Sequence, residues 1–214
     1  MPESPFATLI PDAQHFLAEL AAQNTRDWFT ANKPRFQRDL QAPAHALLDV
    51  VGAGLEKLCA APVSPKLFRQ NRDVRCSKDK SPYKTHLHMI WTCGADGPAF
   101  FFGIEPGRIL LGGGMMAFSS ARLADWRARI AGPEGATLQS HLTALLAVGF
   151  YLREPELKRI PAPHAPNHPQ GELLRRKSLI FLKDVQTPPD DLPAALLAEF
   201  TRVMPVQDWL RTLP

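Results

Sequence analysis

HLHMIWTCGADGPAFFFGIEPGRILLGGG, residues 86–114, is the stretch that decides the fold. In its first eight residues Leu87, Met89, Trp91 and Cys93 alternate with His86, His88, Ile90 and Thr92. That two-residue period is the mark of a strand with one face toward a core. Gly-Ala-Asp-Gly-Pro at 94–98 reads as a turn, and AFFFGIE as a second, more buried strand. Pro106-Gly107 signals a tight turn before RILLGGG, a third strand. Connections this short predict an antiparallel meander, because parallel neighbours need longer crossovers.

Outward from the meander the period changes to helical. On the N-terminal side, Asp12 is placed to cap a helix carrying Phe16, Leu17 and Leu20, and Thr25 one running through Trp28, Phe29 and Asn32. Pro34 suits a first helical position, and Phe36, Leu40, Leu47, Val51, Leu55 and Leu58 follow at helical spacing, with Pro43 expected to kink or split the run. On the C-terminal side, Leu123, Trp126 and Ile130 follow Ser120, and Leu138, Leu142, Leu145 and Leu146 precede Gly149. Residues 155–171 hold five prolines and read as a loop. SLIFLKDV reads as a further strand, Asp191 and Pro193 open a last helix through Leu196, Leu197, Phe200 and Val203, and PVQDWL closes the chain. The expected fold is α+β: a single domain, residues 1–214, with an antiparallel β-meander core flanked by N-terminal and C-terminal helices.

A chain of 214 residues with 45% hydrophobic and 21% charged side chains is ordinary globular material, able to bury a core. The net charge of +4 is mild but unevenly spread. Lys66, Arg69, Arg72, Arg75, Lys78, Lys80 and Lys84 face only Asp73 and Asp79 within residues 66–84, a local surplus of +5 that leaves the rest at about −1. One anionic partner at one place is expected, rather than a basic coat. The three cysteines lack Cys-x-x-Cys spacing and leave one unpaired, which favours a reducing compartment. With no signal peptide pattern and no 18-residue apolar run, the expectation is a soluble cytoplasmic protein without membrane contact.

The run RQNRDVRCSKDKSPYKTH, residues 69–86, resembles the signature of an uncharacterised bacterial and fungal family, a domain of unknown function described as a conserved hypothetical protein. RDWFTANK at 26–33, the glycines at 112–114, NHPQGELLRRKSL at 167–179 and PVQDWL at 205–210 match the same family in the same order. The resemblance implies one full-length domain and carries over no reaction. Cys76 stands where the family pattern has Phe.

The basic motif offers Arg69, Arg72, Arg75, Lys80 and Lys84 as candidate anion-binding residues: Arg brings a planar fork for phosphate or carboxylate, Lys a point charge. Tyr83, His86 and His88 are the nearest candidates for proton transfer, the two histidines pointing the same way from one strand. Asp73 and Asp79, with Trp28 and Asn32, are candidate structural partners of the loop. Three functions stay open: a protein, enzyme or binder, for a phosphorylated or other anionic small molecule; a nucleic-acid-binding module, to which Arg175, Arg176 and Lys177 would add; and a structural or interaction protein whose Arg–Asp network only locks the loop. Nucleic acid fits less well, since Tyr83 is the motif's lone aromatic residue. His164 and His168 join His86 and His88 without an acidic partner at a diagnostic spacing, so neither metal nor cofactor is expected. Ser77-x-x-Lys80 runs into Ser81-Pro82 and lacks the helix an acyl-transfer pair needs, and a nucleophilic Cys76 is not expected. Gly112–Gly114 reads as close backbone packing at a strand end.

Overall fold

Strand β2 (Leu87–Cys93) buries Leu87, Met89, Trp91 and Cys93 and leaves His88, Ile90 and Thr92 half-exposed, in step with the alternation of its sequence. The computed structural model describes residues 6–73, 75 and 79–214. Strands β1 (Val63–Leu67), β2, β3 (Ala99–Glu105) and β4 (Arg108–Met115) form a consecutive antiparallel meander. Strand β6 (Leu179–Asp184) pairs with β4 and carries the short β5 (Tyr151–Leu152) on its outer edge, giving the order β1-β2-β3-β4-β6-β5. The fold is therefore α+β, with the meander as its core.

Helices α1 (Leu9–Ala22), α3 (Ala42–Cys59) and α7 (Leu192–Arg211) cover one face of this sheet. Their stripes, among them Phe16, Leu17, Val51, Leu55, Leu196 and Phe200, merge with Met89, Trp91, Phe100, Phe102 and Phe181 in one hydrophobic core. Trp91 donates its indole N–H to the Leu48 carbonyl at 2.9 Å, so its polar atom is satisfied where the ring is fully buried. Helices α4 (Ser120–Ala131) and α5 (Pro133–Ala147) and the single turn α6 (Gly171–Leu174) complete the C-terminal half.

Several expected boundaries move. Helix α1 starts at Leu9, and Asp12 sits in its first turn rather than capping it. Thr25 does cap α2 (Arg26–Arg35), its hydroxyl accepting from the Trp28 N–H at 3.2 Å. Pro34 lies inside that helix instead of opening the next one. Neither Pro34 nor Pro43 has an N–H to donate, so the carbonyls four residues back lose their usual partners. The chain widens to a π-helical turn at Phe36–Gln41 and runs on into α3. Leu58 and Leu146 are largely exposed, whereas Cys59 is buried. Ser119, one residue before Ser120, caps α4. PVQDWL is helical despite Pro205, lying inside α7. Strands β1 and β5 were not expected. Pro65 is tolerated in β1 because that strand is an edge paired only to β2.

The glycines of β4 are forced by close backbone approach. A Cβ on Gly112 would lie 2.1 Å from the Phe181 carbonyl oxygen, and one on Gly114, whose φ is +120°, 1.9 Å from that of Leu179. A Cβ on Gly113 would meet Gln207 Nε2 at 2.6 Å, the same amide that donates to the Ala99 carbonyl at 2.9 Å. Two matching family segments, the triple glycine and PVQDWL, thus meet at one packing joint. A third, NHPQGELLRRKSL, is another joint. Arg176, 2% exposed, reaches the Arg153 carbonyl and Glu172, each at 2.5 Å, and Glu156 accepts from the Lys177 N–H at 2.7 Å and from the Ser178 hydroxyl.

Candidate functional site

The sheet face opposite α1, α3 and α7 forms the floor of a trough of about 1250 Å³, walled by the turn after β2 and the start of α4. Strand register sets what the floor presents. One lateral row runs Lys66, Ile90, Phe101, Gly112, Leu182, Tyr151 across all six strands. The neighbouring row is His88, Gly103, Leu110, Asp184, and the next pair along is Glu105 with Arg108. The middle of the trough is therefore apolar and the end near the basic motif is polar.

At that polar end Phe68 carries two ammonium groups. Lys66 Nζ lies 5.4 Å and Lys84 Nζ 5.6 Å from its ring centroid, a cation–π arrangement on both. No carboxylate lies within ion-pair distance of Lys66, Arg69 or Lys84 among the described residues. Burial, then the charges of Arg69, Arg72 and Lys66, lower the pKa of Lys84. Beside Lys84 the rings of His86 and His88 stack at 3.7 Å with 18° between planes. Burial is the main cause holding both near 4. His88 and Lys84 add to the shift at His86, and Lys84 adds to it at His88. Both imidazoles are therefore neutral at pH 7. His88 Nε2 sits 3.1 Å from Glu105 Oε1, which makes that nitrogen the N–H donor and leaves Nδ1 as the acceptor. At His86 the Glu105 carboxylate opposes the downward shift without reversing it. Phe101 closes edge-on to His88 at 5.0 Å, a contact Gly103 permits, since a Cβ there would lie 2.9 Å from the imidazole.

The basic motif itself folds back on residues 70–84. Arg72 N–H donates to the Pro82 carbonyl at 2.9 Å, Lys84 N–H to the Gln70 carbonyl at 2.7 Å, and Asn71 bridges Tyr83. Asn24 clamps the Tyr83 backbone from both sides, at 2.9 and 3.1 Å, and Phe29 stacks on its ring at 4.1 Å. Two of the arginines face carboxylates: Arg72 meets Asp79 at 2.7 Å and Arg75 meets Asp73 at 2.5 Å. Arg75 holds the Asp73 carboxyl below its ordinary pKa. The Ser81 N–H and hydroxyl, then Arg72, do the same for Asp79. A smaller cleft of about 270 Å³ is lined by Arg26, Asn71, Arg72, Lys80, Pro82 and Tyr83. Cys76, Ser77 and Lys78 lie outside the described residues, and with them the Ser77-x-x-Lys80 spacing.

The sequence-predicted residues therefore divide. Lys84, His86 and His88 line the trough; Arg72, Lys80 and Tyr83 line the smaller cleft; Arg69 and Arg75 are exposed. Asn32 donates to the Trp28 carbonyl within its own helix, and the Trp28 ring packs on Phe16 at 5.3 Å, so α2 reaches the motif through Phe29 instead. Arg176 is buried, held by Glu172 and the Arg153 carbonyl, so its charge does not add to an exposed basic face. Sequence reasoning counted Lys66 in the basic surplus without placing it among the anion-binding residues, and missed Phe68, Glu105 and Arg26. Glu105 had a signal, since it ends the expected strand AFFFGIE at a position of its outward face. Among the described residues no three His, Cys, Asp or Glu side chains converge as a metal site, and no helix is long and apolar enough to cross a membrane.

The chain belongs to a family of conserved hypothetical proteins, DUF2461, whose family model matches residues 12–209. No curated protein and no solved structure matches it.

Proposed function

We propose that the protein binds an anionic small molecule at the polar end of the trough, with Lys84, Lys66 and Arg69 supplying the charge. The observation that carries this reading is the pair of ammonium groups on Phe68 with no carboxylate beside them among the described residues. Clustered like charges in a half-buried site gain stability from a bound counter-ion, whereas Arg72 and Arg75 already have theirs. The neutral His86 and His88 add hydrogen-bond donors and acceptors next to that charge, and His88, oriented by Glu105, is the candidate for proton transfer. An apolar pocket with a few convergent polar groups and perturbed titrations is the usual form of a small-molecule site. The free thiols of Cys59 and Cys93 accord with a cytoplasmic setting.

A second reading seats a smaller anion in the cleft at Arg26, Arg72 and Lys80, favoured by Arg72 Nε, which is buried without a hydrogen-bond partner. Thermal unfolding in phosphate, sulfate or citrate against sodium chloride of equal ionic strength tests both. The trough reading predicts a raised midpoint that Lys84→Gln abolishes and Arg72→Gln leaves intact. The reverse pattern favours the cleft. No anion-specific shift overturns both.

A further inference from the structure

The polar end of the trough does not stand alone. The in-register row that begins at Lys66 continues through Ile90, Phe101 and Leu182, all half-exposed, with Gly112 between the last two and Leu110 alongside. An ammonium group thus heads a continuous apolar stripe that no helix covers. From β2 to β6 this stripe crosses three strand spacings, about 14 Å. The opposite face of the same strands is fully packed, so the stripe is not surplus core. Of the other cations that line the trough, Arg108 is paired to Asp184, Arg122 donates to the Pro214 carbonyl and Arg153 follows β5 at the opposite edge, so the clustered charge without a carboxylate among the described residues is the Lys66–Lys84 pair at the head of the stripe. Adjoining apolar side chains that lead away from such a pair suit an amphiphile.

We infer that the ligand is an amphipathic acid, its anionic headgroup between Lys66 and Lys84 at Phe68 and its extended apolar chain laid across the strands over Ile90, Phe101, Leu110 and Leu182. This rests on the anion reading above and adds the apolar half of the molecule. The half-buried imidazoles border the headgroup end, where a neutral donor solvates the acid without adding charge. The chain leaves the headgroup at β2, where Ile90 pairs in register with Lys66, and ends near Leu182 at β6.

The test titrates the full chain, below each probe's micelle concentration, with inorganic phosphate, a series from butyl to decyl phosphate, and decanol. Affinity is expected to rise about threefold to fourfold per methylene until the floor is spanned. Leu182→Asn and Ile90→Asn, each checked for native circular dichroism, should weaken decyl phosphate at least tenfold and leave inorganic phosphate unchanged. Lys84→Gln should weaken both. A flat chain-length series with phosphate still bound overturns the amphiphile and spares the anion reading. Decanol binding as tightly as decyl phosphate, with no phosphate binding, overturns the anion reading and the amphipathic acid with it. A dimer that Leu182→Asn converts to monomer makes a second copy the occupant, and overturns the inference as well.

Discussion

Acidification from pH 7 to pH 5 should destabilise this protein through His86 and His88 before any carboxylate contributes. Burial lowers each histidine from 6.5 to about 4, so the unfolded chain binds more protons than the folded one across that window. Both folded imidazoles stay neutral, which costs nothing above about pH 6.5 and progressively more as pH falls toward 4. At pH 5 one such histidine costs about 2 kcal/mol. Because the two rings stack on each other and part of the shift at His86 comes from His88, the pair is expected to cost about 3 kcal/mol rather than the sum. For a chain of this size that lowers Tm by about 6–12 °C. The favourable carboxylate shifts, as at Glu156, begin to be lost only as pH falls toward 4.5 and below, so they do not confuse this interval. The assay is thermal unfolding followed by circular dichroism at both pH values, for wild type and for His86→Gln/His88→Gln. The double variant should lose most of the pH dependence. Equal losses in both proteins, or imidazole resonances that titrate near 6.5 by NMR, would refute the reasoning.

Other outcomes follow from packing. Gly114→Ala should cost about 3 kcal/mol in urea unfolding or prevent folding, because its Cβ would lie 1.9 Å from the backbone oxygen of Leu179 at a φ of +120°. Gly107→Ala, at a φ of +71° with nothing within 4 Å, should cost only about 1 kcal/mol. Arg176→Ala should destabilise by about 3 kcal/mol, since it empties the space of a buried side chain and removes its bonds to the Arg153 carbonyl and Glu172. Arg75→Ala should leave Tm unchanged, because its pair with Asp73 is exposed to solvent. Phe29→Ala should cost about 3–4 kcal/mol and loosen the basic motif, read as faster amide exchange at Tyr83 and Lys84.

The meander was legible because alternation is a local property: Leu87 to Cys93 announce a strand wherever the rest of the chain goes. Strand β5, two residues long, carries no period at all and exists because β6 offers it an edge. Strand β1 hides behind Pro65, harmless only because its partners lie on one side. The continuous helix across Pro34 and Pro43 was illegible for a related reason. Local rules break a helix at proline, whereas Phe29 before the π-helical turn, Phe36 and Leu40 within it and Leu47 after it are held in one core.

The candidate site was partly visible. Charge counting found the surplus, and the shared strand placed His86 with His88. Counting cannot pair charges, however. Arg72 and Arg75 turned to Asp79 and Asp73, close in sequence, while Lys84 turned to Lys66 and Phe68 across an edge strand that went unread. The apolar row from Ile90 to Leu182 appears only once register is known, because its members come from three separate hairpin partners and a strand some seventy residues further along the chain.

The central claim is a location, and one crystal addresses it. In crystals of the full chain grown with decyl phosphate, density for the headgroup should lie against Lys84 Nζ beside Phe68, with the chain running over Phe101 toward Leu182. Headgroup density in the cleft of Arg26 and Arg72, or a trough empty at saturating ligand, would contradict the account.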